Sequence, residues 1–335
     1  MELKGIHHLS AITASASANF DFYTKILGMR LVKKTVNQDD TSVYHLFYGD
    51  DRGNPGTELT FFEFPMAGRN RHGGNSISST SLRVAGDEAL RYWKQRFEEY
   101  GVEHDEIIER AGRQTLAFRD PEDQRLILVS DENNHGVAGG VPWTRSPIPA
   151  EYFILGLGPV QLTVPYAEPT VQVLTSLMGF RPKGKYPSTV AGQPDILVFE
   201  TGEGGSGAEI HVEERTDLPR ELPGAGGVHH VAFRVEDEEE LRKWIERIRS
   251  ARFPNSGFVD RFYFRSLYFR EANGILFELA TDGPGFDTDE DIRHLGESLA
   301  LPPFLEPHRQ RIEAGLKPLD TANETKEGDP YDPLL

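Results

Sequence analysis

Cysteine is absent from the 335-residue chain, which excludes disulfides, thiolate zinc sites, iron–sulfur clusters and thiol nucleophiles. Nor is there an apolar run of about eighteen residues, the least that a membrane-crossing helix needs. Basic residues are scarce beside acidic ones: 36 Lys and Arg against 53 Asp and Glu leave a formal net charge of −17. A protein that grips nucleic acid or an anionic membrane carries a basic patch, so neither partner is expected. The N-terminus, MELKGIHHLSAIT, lacks the basic-then-apolar order of a signal peptide and enters a strand pattern at once. A cytoplasmic location is the corresponding expectation. What remains is the composition of a soluble globular protein, 38% hydrophobic and 27% charged, with chain enough for two domains.

Displaced by 151 residues, the chain matches itself without a gap. Leu90, Arg91, Trp93 and Arg96 meet Leu241, Arg242, Trp244 and Arg247, and Leu116, Phe118, Arg119 and Asp131 meet Leu267, Phe269, Arg270 and Asp282. The same offset lays Gly28 on Gly179, each just past a helical pattern where a left-handed residue closes a helix. Each half divides again into two units of one order: a strand, an amphipathic helix, then further strands. Apolar residues at Phe20, Tyr23 and Leu27, and at Leu90, Trp93 and Phe97, mark the core face of two of these helices. The expected fold is α+β: two tandem domains, each of two βαβββ modules forming a curved mixed-sheet cup. Residues 1–132 would form the first domain (units 1 and 2) and 151–300 the second (units 3 and 4). The Gly- and Pro-rich stretch 133–150 would link them, and 301–335 would form a tail, its last fifteen or so residues extended or disordered.

The duplication also points to chemistry. The strand pattern Gly-apolar-His-His-apolar occurs at Gly5–Leu9 in unit 1 and Gly227–Val231 in unit 4, whereas units 2 and 3 carry Ser78-Ser79 and Gln161 at about that place. Glu278 in unit 4 aligns with Ile127 in unit 2, and His230 with Ser79. Two candidate ligands are therefore lost together in one copy, as a vacated metal site would leave them. By strand alternation His230 and Glu278 fall on the face away from the helix, while His229 shares the apolar face of Val231, Phe233 and Val235. His8 is the unit-1 counterpart of His230. Two histidines and a carboxylate with open positions suit non-haem Fe(II), with Mn(II) or Zn(II) as alternatives. Taken singly, such histidines are most often half-buried strand residues, and Glu278 could serve Arg261 or Arg270 in a salt bridge. His45, His72, His104, His135, His294 and His308 have no partner at a readable spacing and receive no role.

On these features the chain resembles the vicinal oxygen chelate superfamily (the glyoxalase/bleomycin-resistance/dihydroxybiphenyl dioxygenase fold). The HH strands, FYTKILGMRL after the first helix and the carboxylate in LFELATDGPGF carry the resemblance over roughly residues 1–300. Within it the chain is similar to two-domain ring-cleaving dioxygenases of the hydroquinone type. That resemblance implies His8, His230 and Glu278 as Fe(II) ligands, His7 and His229 beside them, and Arg261 and Tyr268 lining a substrate pocket, with Ser10 where the family can carry a threonine. It implies a hydroquinone-like or catechol-like phenol and O2 as substrates; a homodimer would be an ordinary assembly. The rival readings are a glyoxalase-type isomerase or lyase and a non-catalytic binder of aromatics. The isomerase needs a carboxylate from each of two units, and Thr60 stands where unit 1 would supply it; a small shift of register would put Glu58 or Glu63 there instead.

Overall fold

The computed structural model describes residues 1–322. Unit 1 contributes strands β1 (Ile6–Thr13), β2 (Arg30–Asn37), β3 (Asp40–Gly49) and β4 (Glu58–Glu63), and unit 2 contributes β5 (Ser76–Val84), β6 (Ile108–Arg110), β7 (Arg113–Arg119) and β8 (Arg125–Ser130). Unit 3 provides β9 (Gly156–Val164), β10 (Arg181–Tyr186), β11 (Ile196–Glu200) and β12 (Glu209–Glu214). Unit 4 provides β13 (Val228–Val235), β14 (Val259–Asp260), β15 (Arg265–Arg270) and β16 (Leu276–Thr281). After the first strand of each unit comes a helix: α1 (Ala16–Asp21), α2 (Asp87–Tyr100), α3 (Ala167–Gln172) and α4 (Glu238–Ser250). The first and third continue into a π turn, and Gly28 and Gly179 follow these turns at φ 68° and 78°, left-handed values that cost glycine least.

The strands form two curled eight-stranded sheets, ordered β14-β15-β16-β13-β1-β4-β3-β2 and β10-β11-β12-β9-β5-β8-β7-β6. This corrects the expected partnership. Unit 1 shares its cup with unit 4, and unit 2 with unit 3, so each half of the tandem repeat is divided between the cups. The offset of 151 residues identifies modules that are alike, and likeness carries no information about which modules touch. The join is made by hydrogen bonds between first strands, β1 against β13 and β5 against β9, both antiparallel.

The helix-facing sides of both sheets share one apolar core in which Tyr23, Leu90, Trp93, Phe97, Leu241 and Trp244 are at most 1% exposed. Helix α2 starts with Asp87 and Glu88 and α4 with Glu238, Glu239 and Glu240, acids that the positive end of the helix favours; Asp237 caps α4 by accepting from the Glu240 N–H.

The stretch 133–150 is a packed crossover between β8 and β9. Its Val141 N–H donates to Asp50 at 2.8 Å, and its Ser146 hydroxyl donates to the Gly28 carbonyl at 2.7 Å. Beyond residue 300 the expected tail is, as far as residue 322, a strap across unit 1. Leu301, Leu305 and Ile312, the last on α5 (Arg309–Gly315), cluster with Val36. The hydroxyl of Tyr44 donates to the Lys317 carbonyl at 2.8 Å. Most of the segment read as extended or disordered lies outside the described residues.

Candidate active site

Each HH pair sits at an irregularity in the strand pairing. Between β1 and β13, the register passes from Ile6↔Phe233 to Leu9↔Val231, and from Ser10↔His230 to Ala11↔Val228. One extra residue is thus accommodated in the HH region of each strand, a bulge that breaks simple alternation and re-aims side chains. The expectation that His229 lies on the core face fails for this reason: it is exposed and lines the mouth of the cup cavity with His230. The same shifts recur between β5 and β9 at Ser78 and around Pro159, so the bulge belongs to the scaffold of both cups. It also places Pro159, rather than Gln161, at the repeat position of His8.

At the floor of the first cup His8, His230 and Glu278 converge from three strands, all at most 4% exposed. His8 Nε2 lies 3.0 Å and His230 Nε2 2.8 Å from Glu278 Oε2, and the two Nε2 atoms are 3.3 Å apart. Such separations are those of neighbouring octahedral corners around an ion with bonds of about 2.1 Å, where corners stand ~3.0 Å apart. Burial pushes the Glu278 carboxyl up, but the two imidazoles hold it well below the usual carboxylate range. Burial takes His8 down to about 4 against the pull of Glu278. A neutral His8 imidazole beside an ionised carboxylate is the pair of protonation states that metal ligation needs. Neither Arg261 nor Arg270 pairs with Glu278: Arg261 bonds Tyr268 and Asp39, and Arg270 bonds the Gly274 carbonyl.

The neighbouring histidines orient the imidazoles of His8 and His230. His7 Nε2 lies 3.0 Å from the Thr281 carbonyl; when neutral His7 donates there, its Nδ1 accepts from His8 Nδ1–H at 3.0 Å, while, against burial, Glu58 raises the His7 pKa. The lone pair of His8 Nε2 then faces the point of convergence. On the other strand His229 Nδ1 and His230 Nδ1 are 2.7 Å apart, and donation from His230 gives the same result. Such supports orient and strengthen ligating imidazoles. Behind His7 stands buried Glu58, its Oε2 3.3 Å from His7 Nδ1, with burial driving its carboxyl up to about 7.

Above the floor opens a cavity of about 300 Å³; about 150 Å³ suffices for benzene. Phe47, Phe62, Phe64 and Phe264 supply apolar wall. Tyr268, opposite Glu278 in the β15–β16 pairing, brings its ring 5.9 Å from that of His230, and Arg261 Nε donates to its hydroxyl at 3.2 Å. Burial and Glu278 raise the phenol above its ordinary range against Arg261, so the Tyr268 hydroxyl keeps its proton near neutral pH. Ser10 is not free: its hydroxyl is 2.7 Å from that of Thr60, which also contacts His45 Nε2 at 2.9 Å.

His45 is a residue the sequence reading passed over. Set on β3, its ring lies 4.0 Å from Phe47 and 4.1 Å from Phe62 and lines the cavity. Nothing in the sequence paired it with the HH strands; its contact with Thr60 requires knowing how β3 registers on β4. Thr60 itself occupies the unit-1 place of Glu278, since Ser10↔Thr60 in β1–β4 corresponds to Ala232↔Glu278 in β13–β16.

Two stretches, residues 5–128 and 156–279, match the family profile of the Glyoxalase/Bleomycin resistance protein/Dioxygenase superfamily, and the chain belongs to that superfamily. MhqA of Bacillus subtilis (strain 168), provisionally named a ring-cleaving dioxygenase, is 58% identical over 319 residues, covering 95% of this chain and 100% of the relative. The chlorohydroquinone/hydroquinone 1,2-dioxygenase of Sphingobium indicum is 30% identical, covering 91% and 93%. A crystal structure from Bacillus subtilis, provisionally described as a dioxygenase, superposes with a TM-score of 0.87 at 37% identity and covers 95% of this chain and 98% of its own.

Proposed function

We propose that the chain is an Fe(II)-dependent ring-cleaving dioxygenase acting on a hydroquinone-like or catechol-like phenol, with His8, His230 and Glu278 as the metal ligands. The observation that carries this reading is the convergence of two Nε2 atoms and one carboxylate oxygen beneath an aromatic-walled cavity. Both oxygens of Glu278 are buried and lack a hydrogen-bond donor within the protein, as suits a carboxylate reserved for a cation. Manganese(II) and zinc(II) fit the same ligand set. Iron(II) held there would supply what dioxygen chemistry on a ring requires, an electron path between a deprotonated phenol and O2 free of the spin restriction.

The remaining work falls to side chains. The phenylalanine walls exclude water and hold a ring in plane. Arg261 fixes the Tyr268 oxygen, leaving the Tyr268 proton to be given to or recovered from substrate oxygen during ring opening. His7 and His229 hold the ligand imidazoles in register. His45, tied through Nε2 to Thr60, presents its ring to the substrate side. The isomerase reading is weaker because Thr60, already engaged by Ser10 and His45, stands where that chemistry needs a fourth ligand, a second carboxylate.

The test is oxygen uptake by anaerobically Fe(II)-reconstituted protein offered hydroquinone, methylhydroquinone and catechol. Uptake matched to substrate loss, and reduced more than ~100-fold by His8→Ala or Glu278→Ala, is expected. Stoichiometric iron without uptake on any of the three phenols would defeat the proposal.

A further inference from the structure

The second cup has lost the metal set yet kept a cavity. At the repeat positions of His8, His230 and Glu278 stand Pro159, Ser79 and Ile127, and Ser79 and Ile127 line a hollow of about 210 Å³. What the metal cup leaves open at Glu58 is here closed by ionic contacts: Glu209, fully buried, takes both Arg113 nitrogens at 2.8–2.9 Å and Lys183 at 2.7 Å.

One charged group in this cavity is unspent. Arg110, the repeat counterpart of Arg261, ends β6 and lines the hollow. Its Nε is buried and has no hydrogen-bond partner, and among the described residues no ion pair holds its guanidinium. By contrast Arg261 is consumed by Tyr268 and Asp39. Nor can the acids nearby be claimed for Arg110. Glu213 already accepts from Gln161 at 3.1 Å and Thr163 at 2.7 Å and faces Arg215 at 3.7 Å, Glu103 is paired with Arg119 at 3.2 Å, and Asp105, the third acid on the wall, makes no ion pair with Arg110 among the described residues. Arg125, on the same wall, likewise lacks an ion pair among the described residues. A fork of N–H donors facing a partly apolar hollow (Phe118, Leu126 and Ile127) matches a carboxylate on a small hydrocarbon frame, which a guanidinium takes in two parallel bonds.

We propose that the second cup is a binding site for a small organic carboxylate, with Arg110 as its anchor. The site is independent of the metal centre and stands whether or not the proposed reaction does. Two sources share this chemistry: an intact aromatic acid, and a ring-opened unsaturated acid of the kind ring cleavage would yield. Benzoate stands for the first and maleate for the second.

The experiment is calorimetric titration of each probe into the full-length, metal-loaded protein, followed by hydrogen–deuterium exchange to locate the bound probe. One saturable event is expected, with slowed exchange in β7 and β10. Arg110→Gln should weaken it at least tenfold, and Ile127→Trp, which fills the hollow without touching charge, should do the same. Metal content should stay within twofold of the parent in both variants. Benzoate binding more tightly would point to an aromatic acid, and maleate to a ring-opened one; either supports the site. Unchanged affinity in both variants, absence of saturation, or protection confined to β1, β13 and β16 and lost when the metal is stripped would overturn it.

Discussion

At the scale of single residues the candidate site is a chain of oriented hydrogen bonds ending on two imidazole lone pairs. His7→Phe removes the acceptor that holds His8 Nδ1–H and should weaken metal affinity by ~10–100-fold, read by competition with a chelator; retention at parental affinity would deny His7 its orienting part. Tyr268→Phe keeps the ring but deletes the proton. Turnover should fall by ~10²–10⁴-fold with KM changed little, and turnover within twofold of the parent would remove Tyr268 as acid or base. The candidate ligands were legible because the duplication supplies its own control: His230 and Glu278 stand in one copy and are replaced together by Ser79 and Ile127 in the other, and His8 is the unit-1 counterpart of His230. His45 was illegible as a participant, and Glu58 could be weighed only as a substitute carboxylate, because each enters through strand register, and single residues carry no trace of register.

At the scale of elements the bulges matter most. Alternation placed His230 and Glu278 correctly on the cup face, with Val231, Phe233 and Val235 in the helix-side core. It misplaced His229 because an extra residue re-aims one side chain without changing the hydrophobic pattern around it. In the second cup the repeat position of Glu58 is occupied by Glu209, paired with Arg113, at 0% and 16% side-chain exposure. Burial alone would raise the Glu209 carboxyl, but His211 and Arg113 hold it well below the ordinary 4.5. A carboxyl with a depressed folded-state pKa contributes stability fully above its unfolded value and loses it as pH falls. The protein should therefore lose stability on acidification below about pH 5, with Glu209 contributing. Arg113→Gln, which leaves Glu209 with Lys183 and His211, should cost ~1–3 kcal/mol at pH 7, the loss of a charged hydrogen-bond partner from a buried carboxylate, and less at pH 4. Equal destabilisation at both pH values, measured by urea unfolding, would contradict this account.

For the whole molecule, the decisive fact is that cups and halves do not coincide. Domain-sized repeats were visible in the sequence, and so was the βαβββ order within them. The partnership 1 with 4 and 2 with 3 was not, since it is decided by which first strands find each other. Residues 1–132 and 151–322, produced separately, should each fail to bind metal, because His8 resides in one and His230 and Glu278 in the other. Co-expression should restore a metal-binding complex. Metal binding by either half alone would show that the site does not need both.

The crossed arrangement also sets a timetable. Units 2 and 3 are adjacent in the chain, so their sheet can close once Glu214 has left the ribosome. The other sheet waits for Glu278, which emerges 278 − 8 = 270 residues after His8, roughly 15–55 s at ordinary elongation rates of about 5–20 residues per second. For that interval unit 1 carries a first strand paired on one edge only, to β4, and one of the three candidate ligands. The inner cup, chemically the quieter of the two, is then the first surface on which the growing chain can rest, and a newborn molecule acquires its competence for metal only in the last stage of synthesis.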